Sequence, residues 1–126
     1  MPASTTLHEA PDQLSHQTIE FHRAIVSLME ELEAVDWYNQ RADVCTDAQL
    51  QAILKHNRDE EIEHASMALE WIRRNFPKFD EALKTYLFTT GAITSMEKTA
   101  KNSEGGKQTP GQIAKGARLT VGEMKG

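Results

Sequence analysis

The chain has 126 residues, is 39% hydrophobic and 26% charged, and carries a formal net charge of -5, a profile that fits one globular domain and excludes a disordered or fibrous chain. Its single cysteine, Cys45, excludes an internal disulfide and any multi-cysteine zinc or rubredoxin-like module, and reads as an incidental loop thiol. No apolar run nears the roughly 20 residues that span a bilayer, and Met1 to Leu14 has neither a basic start nor an apolar signal segment, so a cytosolic, membrane-free protein with a flexible N-terminus over residues 1–14 is expected.

A first helix is predicted from Ser15 to Arg41, a stretch without Gly or Pro. Phe21, Ala24, Ile25, Leu28, Leu32, Val35 and Tyr38 recur at steps of three and four, which places them on one helical face. Ser15 is the expected N-cap. A second helix starts after Cys45, with Thr46 or Asp47 as cap. It repeats apolar or small residues at Leu50, Ile53, Leu54, Ala65, Ala68, Trp71 and Ile72 and stops at Pro77. The short break between the two helices predicts an antiparallel hairpin. A third, shorter helix is expected from Pro77 to Leu87, opened by its proline and packed through Phe79, Leu83, Tyr86 and Leu87.

All seven glycines fall in residues 91–126, so the regular fold should end near Phe88 to Gly91, leaving 91–117 as a flexible linker and 118–126 as a terminal peptide. Charge divides at the same place. Residues 1–90 hold 8 Lys and Arg against 16 Asp and Glu, a net of −8, whereas residues 91–126 hold 6 against 3, a net of +3. An acidic folded part argues against nucleic acid as a partner and suits a protein that attracts cations.

Two amphipathic helices cover only one side of each other, and the apolar stripe left over predicts pairing of two hairpins into a four-helix bundle. Three ionisable residues interrupt these stripes. Glu31 stands in the series Phe21, Ala24, Leu28, Glu31, Val35, Tyr38; Glu61 and His64 stand in Leu54, Asn57, Glu61, His64, Ala68, Ile72. Burying a carboxylate without compensation costs several kcal/mol or raises its pKa, so a partner is expected: an Arg, a protonated His or a metal ion.

A di-iron carboxylate site in a helical bundle takes one Glu from each of two helices and Glu-x-x-His from each of the other two. This chain holds one Glu-x-x-His, Glu61-Ile62-Glu63-His64, and one helix-1 acid in phase with the stripe, Glu31. Two copies double the set to four carboxylates and two imidazoles, a full complement for two irons, with manganese or zinc as other occupants of the same donors. Glu30, Glu33 and Asp36 on the first helix and Glu60 and Glu63 on the second flank the trio. They read either as a solvated surface or as an acidic funnel for Fe2+. Trp37 and Tyr38 follow, as interface packing or, for Tyr38, as a hydrogen-bond partner of a ligand carboxylate.

Longer stretches carry a family resemblance: Met29-Glu30-Glu31-Leu32-Glu33-Ala34-Val35-Asp36-Trp37-Tyr38, His56-Asn57-Arg58-Asp59-Glu60-Glu61 with Glu63-His64, Leu69-Glu70-Trp71-Ile72-Arg73-Arg74 and Thr85-Tyr86-Leu87-Phe88. Over residues 15–90 the chain resembles the encapsulated ferritins. The resemblance implies an all-α, ferritin-like two-helix protomer whose homodimers form a four-helix bundle, arranged as a ring-like decamer, with a ferroxidase centre at the dimer interface. It implies Glu31, Glu61 and His64 as the iron ligands, and Glu30 and Glu33, with Trp37 beside them, as an outer uptake site. The tail, Leu119-Thr120-Val121-Gly122-Glu123-Met124-Lys125-Gly126, is similar to the peptides by which cargo docks inside encapsulin shells. Those peptides usually carry Ser and Leu where this chain has Glu123 and Met124. The implied function is oxidation of Fe2+ to Fe3+ for mineral storage inside an encapsulin nanocompartment. The competing expectations are a rubrerythrin-like peroxide reductase and a non-catalytic metal-binding assembly module.

Overall fold

The computed structural model describes residues 6–97. The linker and terminal peptide expected over 91–117 and 118–126 lie outside the described residues from position 98 onward, as do residues 1–5 of the N-terminus. Among the described residues the structure is all helical: α1 (His16–Val44), α2 (Ala48–Asn75) and α3 (Pro77–Tyr86), with short 3-10 turns at Pro11–Gln13 and Ile93–Ser95. The first turn lies within residues 1–14, ahead of α1. Pro11 fixes its own φ, and the Gln13 and Leu14 amides close on Ala10 O and Pro11 O at 2.9 and 3.2 Å.

The predicted helices form for the predicted reasons. Ser15 Oγ accepts from the Thr18 amide at 3.1 Å, capping α1, and of the two candidate caps of α2 it is Asp47 that accepts, from the Leu50 amide at 2.8 Å. Helix α1 runs three residues past Arg41, to Val44, because nothing before the Cys45 to Asp47 connection breaks it. Phe76, extended at φ −140° as the residue before a proline must be, ends α2. Helix α3 ends one residue short of the expected Leu87; the Leu87 amide still reaches Leu83 O at 2.9 Å, and Phe88 then turns left-handed at φ 59°.

The chain divides into two compact units, one ending at Pro77 and one beginning at Lys78. In the first, α1 and α2 form the expected antiparallel hairpin. Early residues of α1 meet late residues of α2: Phe21 stacks on Phe76, with ring centroids 4.2 Å apart and planes 2° from parallel. Late residues meet early ones: Gln51 Nε2 donates to Ala42 O at 2.7 Å. In the second unit, α3 carries Asp80 in its first turn, bridged by Lys84 at 3.1 Å, with a Lys78–Glu81 pair beside it.

The hairpin core is thin. Among the described residues only Ala42, Ala65 and Ile72 are fully buried apolar side chains. Leu32, Leu50, Ile53, Ile62, Met67 and Trp71 all stand exposed. The sequence stripes predict continuous buried faces, whereas the single chain leaves Phe21, Ala24, Leu28, Val35 and Tyr38 half-buried. Two helices enclose only the line where they touch, and side chains to either side of that line stay open until another surface covers them.

Candidate metal centre

The hairpin's midpoint brings together the three residues that interrupt the apolar stripes. Glu31 projects from α1; Glu61 and His64, at i and i+3, project side by side from α2. His64 Nδ1 lies 3.3 Å from Glu61 Oε1 and 3.7 Å from Glu31 Oε1. One ligand atom from each residue falls within 4.8 Å of the others. That spacing admits a single cation touching all three.

The trio is less enclosed than the stripe pattern predicts. The side chains of Glu31, Glu61 and His64 are 31%, 23% and 42% exposed. The inward-pointing carboxylate expected at Glu31 is half-buried in one chain, because α2 covers only one of its sides. The open side is where further ligands would have to enter.

Electrostatics mark the trio as short of positive charge. The Glu31 carboxyl is raised above its ordinary 4.5, first by its hydrogen bond with Glu61, then by burial and by the charges of Glu61 and Glu30, with His64 opposing. Glu61 is lowered by the complementary side of the same bond and by His64, against the cost of burial. Of the two carboxylates, Glu31 is therefore the one that protonates first as pH falls. A divalent cation would offset the mutual repulsion of the two carboxylates. Two carboxylates and one imidazole suit iron, manganese or zinc, and three donors are half of what two such ions need.

The other expected site residues do not join this cluster. Glu30 and Glu33 are exposed on the neighbouring face of α1, and Trp37 is half exposed one turn beyond Glu33. Glu60 and Glu63 are likewise exposed, with Glu60 Oε2 3.9 Å from His56 Nε2. Tyr38 presents its ring to Arg41, whose Cζ lies 5.4 Å from the centroid. Sequence reasoning missed the bond from Arg58 Nη1 to Asn39 Oδ1, 3.0 Å long and joining the two helices. It depends on how one helix sits along the other, and only the cation at Arg58, one turn before Glu61, hinted at it.

The model of the EncFtn-like family matches residues 6–90, which include the hairpin and all three residues of the trio. The chain belongs to this family, the encapsulated ferritins. Curated relatives agree. The chain is 54% identical to the encapsulated ferritin-like protein of Rhodospirillum rubrum, across 98% of this chain and 91% of that one. It is 50% identical to the ferritin-like protein of Thermotoga maritima, across 84% and 91%, and 30% identical to the encapsulin nanocompartment cargo protein EncC of Myxococcus xanthus, across 99% of both. Among solved structures, protein ne0167 from Nitrosomonas europaea superposes with a TM-score of 0.67 at 61% identity, covering 69% of this chain and 96% of that one. The encapsulated-ferritin resemblance read from the sequence is thereby established, and its all-helical fold with it. Among the described residues no helix is long and apolar enough to cross a membrane.

Proposed function

We propose that this encapsulated ferritin is a ferroxidase. It takes Fe2+ as substrate between two copies of the chain, at a centre made of Glu31, Glu61 and His64 from each. The convergence of those three side chains, with ligand atoms within 4.8 Å of one another, carries the reading. The exposed apolar residues beside them, Leu32 next to Glu31 and Ile62 next to Glu61, support pairing of two hairpins into a four-helix bundle, since covering a large apolar side chain contributes about 1.5–3 kcal/mol. Pairing about a two-fold axis would bring four carboxylates and two imidazoles together.

In this reading the carboxylates bind and orient two Fe2+ ions and bear part of the charge that builds up as each becomes Fe3+. The pair yields two electrons, the number that takes O2 to hydrogen peroxide or hydrogen peroxide to water. Glu31 and Glu61 bind as carboxylates and His64 through a ring nitrogen. Glu30 and Glu33, exposed on the same helix with Trp37 beyond them, form an outer uptake site that gathers Fe2+ by its charge.

The relative named as an encapsulin nanocompartment cargo protein, matched along 99% of both chains, supports residence inside an encapsulin shell in the cytoplasm, with the shell as partner and store of the ferric product. Residues 118–126 are the docking peptide in this proposal, with Leu119, Val121 and Met124 as its apolar contacts. Assembly of the dimers into a ring-like decamer belongs to the same proposal. Anaerobic Fe2+ titration with oligomer mass measured before and after tests it: two irons per dimer are expected. One iron per chain held by a monomer would overturn the shared centre.

A further inference from the structure

The centre takes its ligands from two helices, so its geometry depends on how far α1 is shifted along α2. A slip of one residue moves Glu31 by about 1.5 Å, whereas metal–ligand distances tolerate about 0.2 Å. Something must therefore set the register closely. Two of the three buried side chains of the seam are alanines, Ala42 and Ala65, which let the helices approach, and the third, Ile72, is its one large buried knob among the described residues. The parallel Phe21–Phe76 stack, beyond the trio toward the open end of the hairpin, resists separation more than sliding. The Gln51 bond to Ala42 O sits at the connection, where the chain is already constrained.

A further tie outside the trio is Arg58. Its Nη1 donates to Asn39 Oδ1 on α1 at 3.0 Å, and its Nε donates to Asp59 Oδ1 at 3.0 Å, so the guanidinium is held from two sides. Its side chain is only 26% exposed. Arg58 is one turn from Glu61 and Asn39 two turns from Glu31. We propose that Arg58 and Asn39 are a positioning pair, whose hydrogen bond fixes the register of α1 on α2 and so sets how tightly Glu31, Glu61 and His64 hold a divalent cation. This rests on the metal-binding reading of the trio. The action proposed is geometric, through the position of α1 along α2.

The test is an anaerobic titration of the full chain with Co2+, following the visible absorption of the site that Glu31→Ala abolishes. Asn39→Ala changes no charge and favours the helix; it is expected to weaken Co2+ binding about tenfold, the lower end of the loss seen when residues behind metal ligands are removed. Arg58→Lys keeps the charge but not the planar fork and should show a similar loss. Asn39→Asp retains an oxygen acceptor and should stay within about twofold of the unmodified chain. Helicity and oligomer mass should be unchanged in all three. Unmodified affinity in either Asn39→Ala or Arg58→Lys overturns the pair. So does loss of assembly in step with affinity, which would make the bond a general stabiliser. If the unmodified chain shows no Co2+ site, the metal reading falls and the pair with it; if the unmodified chain binds and the variants bind equally, only the pair falls.

Discussion

Two carboxylates on α2, nine residues apart, sit in opposite electrostatic circumstances. Glu70 receives Arg73 Nη2 at 2.7 Å and Arg74 Nε at 2.6 Å, and these hydrogen bonds hold its carboxyl down to about 2. Glu61 meets another carboxylate, Glu31, and an imidazole, an arrangement that raises the Glu31 carboxyl and lowers that of Glu61. The Glu70 cluster is complete within its own helix and has no need of a ligand. The Glu31–Glu61–His64 cluster sets two acids beside an imidazole, and under the proposed function a bound metal ion is their counter-charge. A charged cluster on a helical surface is thus structural or ligand-binding according to whether the chain brings its own counter-charge.

The contrast is broken most severely by removing a ligand. Glu31→Ala, Glu61→Ala and His64→Ala should each cut the initial rate of Fe2+ oxidation at least about 100-fold, beyond the 10- to 100-fold typical of residues behind the ligands. Rates equal to the unmodified chain would show that the centre lies elsewhere. Glu70→Gln in the same assay should leave the rate within about twofold, since no proposed metal ligand touches it.

Stability separates the seam's aromatic end from the middle that carries the proposed metal ligands. Phe76→Ala deletes one ring of the Phe21 stack and, because Phe76 is partly exposed in the single chain, should lower unfolding free energy by about 2–3 kcal/mol in a denaturant titration, somewhat less than a fully buried Phe. Glu31→Gln should instead raise the midpoint of the metal-free protein at pH 7, because it relieves the opposition of the Glu31 and Glu61 carboxylates; a lower midpoint would contradict that opposition. Leu32→Glu or Ile62→Glu, each placing charge on an exposed apolar side chain beside a ligand, should weaken self-association about tenfold, as seen by sedimentation at micromolar protein.

Acid sharpens the comparison further. Because the raised Glu31 carboxyl must be deprotonated before metal binds, Co2+ affinity should fall on acidification ahead of the range in which an ordinary carboxylate titrates. Glu70 behaves oppositely. Its folded value lies below the unfolded one, so its contribution to stability is fully present above about 4.5 and is lost as pH falls toward about 2. With 41% of the side chain exposed, solvent screening reduces that contribution to about 1 kcal/mol. Glu70→Gln should therefore be less stable than the unmodified chain by about that amount at pH 7 and indistinguishable from it near pH 2.

Much of this was written in the sequence. The run from Ser15 to Arg41 without Gly or Pro, the cap at Asp47 and the stop at Pro77 are local signals acting over a few residues, and the helices follow them with shifts of one to three positions. Helical phase alone placed Glu31 on one stripe and Glu61 with His64 on another, because side-chain direction in a helix is fixed by residue number. What the tertiary structure alone decided is how the stripes meet. The pairing of Arg58 with Asn39, the stack of Phe21 on Phe76 and the half-exposure of the trio all depend on the axial register and one-sided cover of two helices. No local pattern encodes these, since contacts between residues 19 or more apart in sequence are set by the packing of whole elements and not by the periodicity of either one.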